Sequence, residues 1–213
     1  TELKTQQERW VQVAADADDV NSLRGAFESV RQTKRVPTDE AAKLGMYDAS
    51  DDTSPYQPDE DGLVEVPCWR HAIVNVPHPL LELGLVIIDT PGLNAIGSEP
   101  ELTLNLIPSA HAVLFVLAAD AGVTRTDIEI WRDHVTAAHR SGRFVVLNKI
   151  DGLWDELKTE EEINREIASQ VTSVGRLLDL PPERIYPVSA QKALVGKIHE
   201  DRALLARSRL PEL

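Results

Sequence analysis

The chain has 213 residues, 42% of them hydrophobic, which is enough to bury one full core with an appendage. Its 35 acidic against 22 basic side chains leave a net charge of -13, which repels nucleic-acid phosphate, so direct nucleic-acid binding is not expected. Cys68 is the single cysteine, which excludes an internal disulfide and suits a reducing cytoplasm, and no apolar run reaches the length of about eighteen residues that a spanning helix needs.

Residues 1–48 read as a pair of amphipathic helices. Trp10, Val13, Ala14 and Ala17 are three or four apart, and Leu23, Phe27 and Val30 repeat that spacing after Asn21. Pro55 and Pro58 mark the acidic stretch Asp48–Gly62 as an exposed loop and a candidate boundary, which divides the chain into 1–62 and 63–213. Strand patterns follow at Val64–Val66 and at His71–Val76, with His71 and His78 read as ordinary edge-strand residues rather than metal ligands. A short connector through Gly84 leads into Leu85-Val86-Ile87-Ile88, and this close spacing favours an antiparallel edge hairpin.

Four consecutive large apolar residues cannot alternate in and out, so Leu85–Ile88 reads as a strand buried on both faces of a sheet. Asp89 then stands at its carboxyl end, and Thr90-Pro91-Gly92 takes the backbone off in a tight turn. Pro100 opens a short helix that Pro108 ends. His111–Leu117 is a second buried strand, followed by the loop Ala118–Gly122, and Thr124 caps a helix through Ile128, Trp131 and Val135. Phe144–Leu147 runs into Asn148-Lys149-Ile150-Asp151. An acidic-starting helix from Thr159 carries Ile163, Ile167, Val171 and Val174 on one face, and Pro181-Pro182 stops it. Arg184–Val188 runs into Ser189-Ala190, and a last helix spans Gln191 to Ser208. From Leu63 onward this is strand and helix in alternation, the pattern of a mostly parallel sheet.

The loops at the strand ends carry the chemistry. Asp151 can accept two hydrogen bonds from the ring N–H and exocyclic amine of guanine, a donor edge that adenine lacks. Asn148 can tie the loop and face the base, the stem of Lys149 can lie along the ring, and a backbone N–H of Ser189-Ala190 can meet the base oxygen. Lys192 either supports that loop or is a plain surface lysine of the helix. Asp89 suits a magnesium ion held through water, since magnesium keeps several waters and takes few protein ligands. Gly92 N–H suits a terminal phosphate, and the turn after it would reorder when that phosphate leaves.

Together DTPGLNAIGSEPELT, PSAHAVLFVLAADAGVTRTDIEIW, VLNKIDGLW and PVSAQKAL resemble the motifs of a bacterial dynamin-like GTPase domain. The resemblance implies a three-layer αβα P-loop NTPase-like domain, with a mostly parallel sheet and an antiparallel edge hairpin. It makes 63–213 its later two-thirds and 1–62 a helical insert. It also implies GTP and GDP as ligands, Mg2+ as the metal, and GTP hydrolysis that drives homodimerisation across the nucleotide face and membrane remodelling or tethering. Catalytic roles fall to Asp89 and Gly92, and nucleotide-binding roles to Asn148, Lys149, Asp151, Ser189, Ala190 and Lys192. A cytoplasmic location follows, peripheral at the inner membrane in the longer protein. Two other readings stand beside it, a regulatory GTPase of the ribosome or RNA and a scaffold that has lost phosphate binding.

One element of the family is missing. The phosphate-cradling GxxxxGK[ST] loop does not occur, and the nearest stretch, Gly152 to Lys158-Thr159, has Leu157 where the second glycine belongs. Thr38 and Thr53 match the first-switch threonine in name only. The expectation is a piece of a longer protein whose earlier part carries the phosphate loop.

Overall fold

The computed structural model describes residues 10–16, 19–50, 54–69, 71–90, 100–139 and 141–213. Two compact units divide at residues 99 and 100.

In the first unit, helix α1 (Val20–Val30) starts at Asp19, whose carboxylate accepts the N–H groups of Asn21 and Ser22. Strand β1 (Thr33–Pro37), helix α2 (Thr38–Lys43) and strand β2 (Leu63–Pro67) follow, and β1 pairs antiparallel with β2, Val36 facing Val64. Period-two alternation explains the small core: Val36, Val64 and Val66 turn inward against Ala41 and Met46, while Arg35 and Glu65 face out. Asp59 turns the chain into β2. Its Oδ1 accepts from Asp61 N and Leu63 N, and its Oδ2 accepts from Arg35; these contacts, the Leu63 N–H first, hold the Asp59 carboxyl below its ordinary value.

Three expectations for this unit are corrected. Among the described residues of 1–48 the helices are α1 and α2, and 33–37 is a strand, because Pro37 cannot continue a helix and forces Val36 to extended geometry. Trp10–Asp16 is not helical; Val11 and Val13 stay exposed, so a short helix there gains no burial to offset its nucleation. Ala17 lies outside the described residues. Third, 71–76 and 85–88 form no strands among the described residues; Val86 is 78% and Ile87 73% exposed. Their connector folds instead as the helical turn α3 (Pro79–Glu82), with His78 Nδ1 accepting Leu80 N at 3.3 Å. An apolar run signals a place inside a sheet, but pairing requires a neighbour, and the antiparallel hairpin of this unit is β1–β2.

The second unit begins with α4 (Pro100–Leu106), which continues as a tighter turn over Ile107–Ser109 instead of ending at Pro108. Strands β3 (Val113–Ala118), β4 (Arg143–Asn148) and β5 (Ile185–Pro187) lie side by side, all parallel, in chain order. Helix α5 (Arg125–Ile130), extended by a π-helical turn over Trp131–Thr136, joins β3 to β4, and α6 (Glu160–Leu178) joins β4 to β5. The apolar face of α6, Ile163, Ile167 and Val174, meets Leu117, Val145 and Leu147 of the strands and Trp131 and Val135 of the α5 extension. Trp131 donates its indole N–H to Leu178 O at 2.9 Å, which satisfies a carbonyl at the end of α6. On the other face of β3, Leu114 and Val116 are 55% and 61% exposed.

The last helix is two. Helix α7 (Ala190–Ile198) ends at His199, and α8 (Arg202–Arg207) restarts from Asp201, whose carboxylate accepts Leu204 N at 3.0 Å. Gly196 makes the fold-back possible, since a Cβ there would lie 2.9 Å from Leu205 N. No helix of the described residues is long and apolar enough to cross a membrane.

Candidate functional site

Because β3, β4 and β5 are parallel neighbours, the loops that follow them leave from one edge of the sheet. Backbone bonds fasten these loops together. Ala119 N donates to Asn148 O at 2.8 Å, Val188 N to Leu147 O at 2.9 Å, and Ile150 N to Val188 O at 3.3 Å. Ile150 is fully buried beneath them and anchors the turn after β4 to the core.

On this frame the side chains of the second and third loops interlock. Asn148 Oδ1 accepts Lys149 N at 2.8 Å and Ala190 N at 3.0 Å, bridging 42 residues of sequence. The hydroxyl of Ser189, itself fully buried, donates to Asp151 Oδ1 at 2.7 Å and accepts Lys192 N at 3.2 Å as the cap of α7. Lys192 therefore joins the loop through its backbone. Lys149 has φ 64° and an exposed side chain, with its Nζ 3.8 Å from Asp120 Oδ2 on the loop after β3. Oδ2 of Asp151 has no protein partner among the described residues, and Oδ1 keeps a second lone pair, so the carboxylate can still accept two donors. Of the two N–H groups of Ser189-Ala190, that of Ser189 is given to Ser208 O at 2.9 Å and that of Ala190 to Asn148.

The remaining candidates are elsewhere. Asp89 is exposed and belongs to the first unit, while Gly92 lies outside the described residues. Thr38 is the first residue of α2, and Thr53 lies outside the described residues. The Gly152–Thr159 stretch serves α6 instead of a phosphate: Thr159 and Glu162 form its capping box, and Lys158 Nζ pairs with Glu166 Oε2 at 2.6 Å. Among the described residues no three His, Cys, Asp or Glu cluster as a metal site. Asp120, Trp154 and Ser208 were not singled out by sequence. Only Asp120 had a signal, its place just past the end of a buried strand; Ser208 reaches Ser189 from a distant stretch of chain, and Trp154 joins the turn through its backbone N–H, which has no side-chain signal.

An α/β unit with its polar loops interlocked at the carboxyl edge of a parallel sheet is of the class of open α/β domains, whose ligand edge this is. The sequence profile of the dynamin family matches residues 1–150, more than two thirds of the chain, and the chain belongs to that family. It is 25% identical over 160 residues to a bacterial dynamin-like protein of Nostoc punctiforme, covering 67% of this chain and 22% of that protein. It is 33% identical over 124 residues to a probable transmembrane GTPase FZO-like, chloroplastic, of Arabidopsis thaliana, covering 58% of this chain and 13% of that protein. The chain thus spans less than a third of the length of the curated relatives it matches. Among solved structures it is similar to the LeoA bacterial dynamin GTPase from ETEC, with 20% identity, a TM-score of 0.39, and coverage of 53% of this chain and 22% of that one. That likeness adds nothing to the family assignment.

Proposed function

We propose that this chain carries the base-recognising part of a guanine-nucleotide-binding GTPase, and that the protein it belongs to binds and hydrolyses GTP. The observation that supports this best is the linkage of Asn148 and Asp151 to Ser189 and Ala190 across the strand ends. In this reading Asp151 accepts the ring N–H and exocyclic amine of guanine, with the Ser189 hydroxyl orienting the carboxylate. The base oxygen shares the Ala190 N–H with Asn148, and the exposed stem of Lys149 lies along the ring. Lys192 N–H closes the loop on Ser189.

Asp89, a single exposed carboxylate, fits an ion that keeps most of its water, and would hold Mg2+ through that water. The ion's contribution would be to neutralise charge on the phosphates. Gly92 N–H is assigned to the terminal phosphate. Residues 63–213 correspond to the later two-thirds of the GTPase domain and 1–62 to an insert before it. Homodimerisation across the nucleotide face, and membrane remodelling or tethering from the cytoplasmic side by the longer protein, complete the proposal.

The test is titration of GTP, GDP and ATP with magnesium against the full-length protein. Guanine nucleotides are expected to bind in preference to ATP. Asp151→Asn, which loses a charge-assisted pair, should weaken GDP roughly a hundredfold and shift preference toward xanthine nucleotide. Equal binding of GDP and ATP, or an unchanged preference in Asp151→Asn, overturns the assignment.

A further inference from the structure

Asp151 is held at two points, its carboxylate by Ser189 and its backbone carbonyl by Trp154, and both supports lead to the same short segment, Arg207–Arg209, at the end of α8. One support is Ser189. Its hydroxyl bonds Asp151, and its backbone N–H is fixed by Ser208 O at 2.9 Å. Ser208 is fully buried; its hydroxyl donates to Leu205 O at 2.5 Å and accepts Leu210 N at 3.3 Å, so its carbonyl is pinned in place. The other support is Trp154, whose N–H closes the turn on Asp151 O at 3.2 Å. The Arg207 guanidinium lies 4.2 Å from the centroid of the Trp154 ring and pairs with Glu160 Oε1 at 2.6 Å. Arg209 adds a bond to Asn164 Oδ1 at 2.5 Å, fastening the segment to α6.

We infer that Arg207–Arg209 is a strap that positions the base site, with Arg207 as a positioning residue that sets how Asp151 meets a guanine base. The inference rests on the guanine reading above. Its geometry is specific: the strap contacts Ser189, which bonds the discriminating carboxylate, and Trp154, whose backbone N–H fixes the turn that carries it. The strap therefore governs selectivity for the exocyclic amine more than overall affinity. It also makes base recognition sensitive to where the carboxyl-terminal helix is held, since a displacement of α8 moves Ser208 O and Arg207 together.

The experiment compares GDP with inosine diphosphate, which lacks the exocyclic amine, on the full-length protein and its variants Arg207→Ala, Arg207→Lys and Trp154→Leu. Removing the stack and the ion pair in Arg207→Ala is expected to weaken GDP about fivefold, in line with an exposed cation–π contact plus a partly exposed ion pair. Inosine diphosphate should weaken less, so the ratio of the two affinities falls. Arg207→Lys keeps the charge toward Glu160 and should recover part of the ratio, while Trp154→Leu should lose it without disturbing that ion pair. Thermal midpoints separate misfolding from misaiming. A wild-type GDP-to-inosine ratio that persists in both Arg207→Ala and Trp154→Leu makes the strap purely structural and overturns the inference. A wild-type protein that does not discriminate the two nucleotides overturns the base-site reading itself.

Discussion

Gly175 sits near the end of α6, where the chain folds back toward β5 and the Ser189 loop, and Gly175→Ala sets two effects against each other. Helix propensity favours alanine by about 1 kcal/mol. A Cβ at this position, however, would lie 2.8 Å from Leu180 O and 3.4 Å from Ile185 Cδ1. The first of these atoms is backbone, held by the bond from Leu180 N to Gly175 O at 2.9 Å, and cannot step aside. Overpacking against a backbone atom lies in the upper part of a range of about 1–3 kcal/mol, so the clash wins and a net loss of up to about 2 kcal/mol is expected. Urea unfolding followed by helical circular dichroism measures it. Gly25 in α1 supplies the control, because a Cβ there meets nothing within 4 Å and only the propensity gain remains. A Gly175→Ala protein as stable as the parent would refute the reasoning.

Trp131→Phe removes the donor to Leu178 O and leaves that buried carbonyl unpaired; a loss of about 1–3 kcal/mol is expected in urea unfolding followed by helical circular dichroism. Glu162 is held below its ordinary value of 4.5 by the Thr159 N–H first and the Thr159 hydroxyl second. The capping box therefore supports α6 fully above that pH and loses its support as the pH falls through the depressed value. Glu162→Gln keeps the hydrogen bonds without the charge, and its helical circular dichroism is expected to fall less steeply than the parent's in that acidic window.

The parallel sheet was legible because continuous apolar runs such as Val145-Val146-Leu147 have no second interpretation once helices flank them. Thr124 announced its helix through a cap and α6 through the acidic residues that follow Thr159, signals that lie within four residues of chain. Leu85–Ile88 shows the limit of the same rule. Its composition is that of a buried strand, yet pairing depends on a neighbour that a local pattern cannot supply. The break between α7 and α8 was written in Asp201 as a cap and Gly196 as a close approach, but apolar spacing ran through both. At the site, Asn148, Asp151, Ser189 and Ala190 stood out by their place at strand ends, whereas Arg207 meets Trp154 through a contact with no local signature.

Lys149 occupies a left-handed backbone position, with φ 64°. Such a conformation costs a side-chain-bearing residue about 1 kcal/mol that glycine avoids. The turn off β4 could therefore be made more stable by losing its side chain altogether. What the position retains instead is a cation with an exposed stem, placed at the rim of the sheet opposite Asp120 by a backbone that most residues avoid. The fold does not ask for lysine there, and a side chain held at this cost on the rim fits the base contact proposed for it.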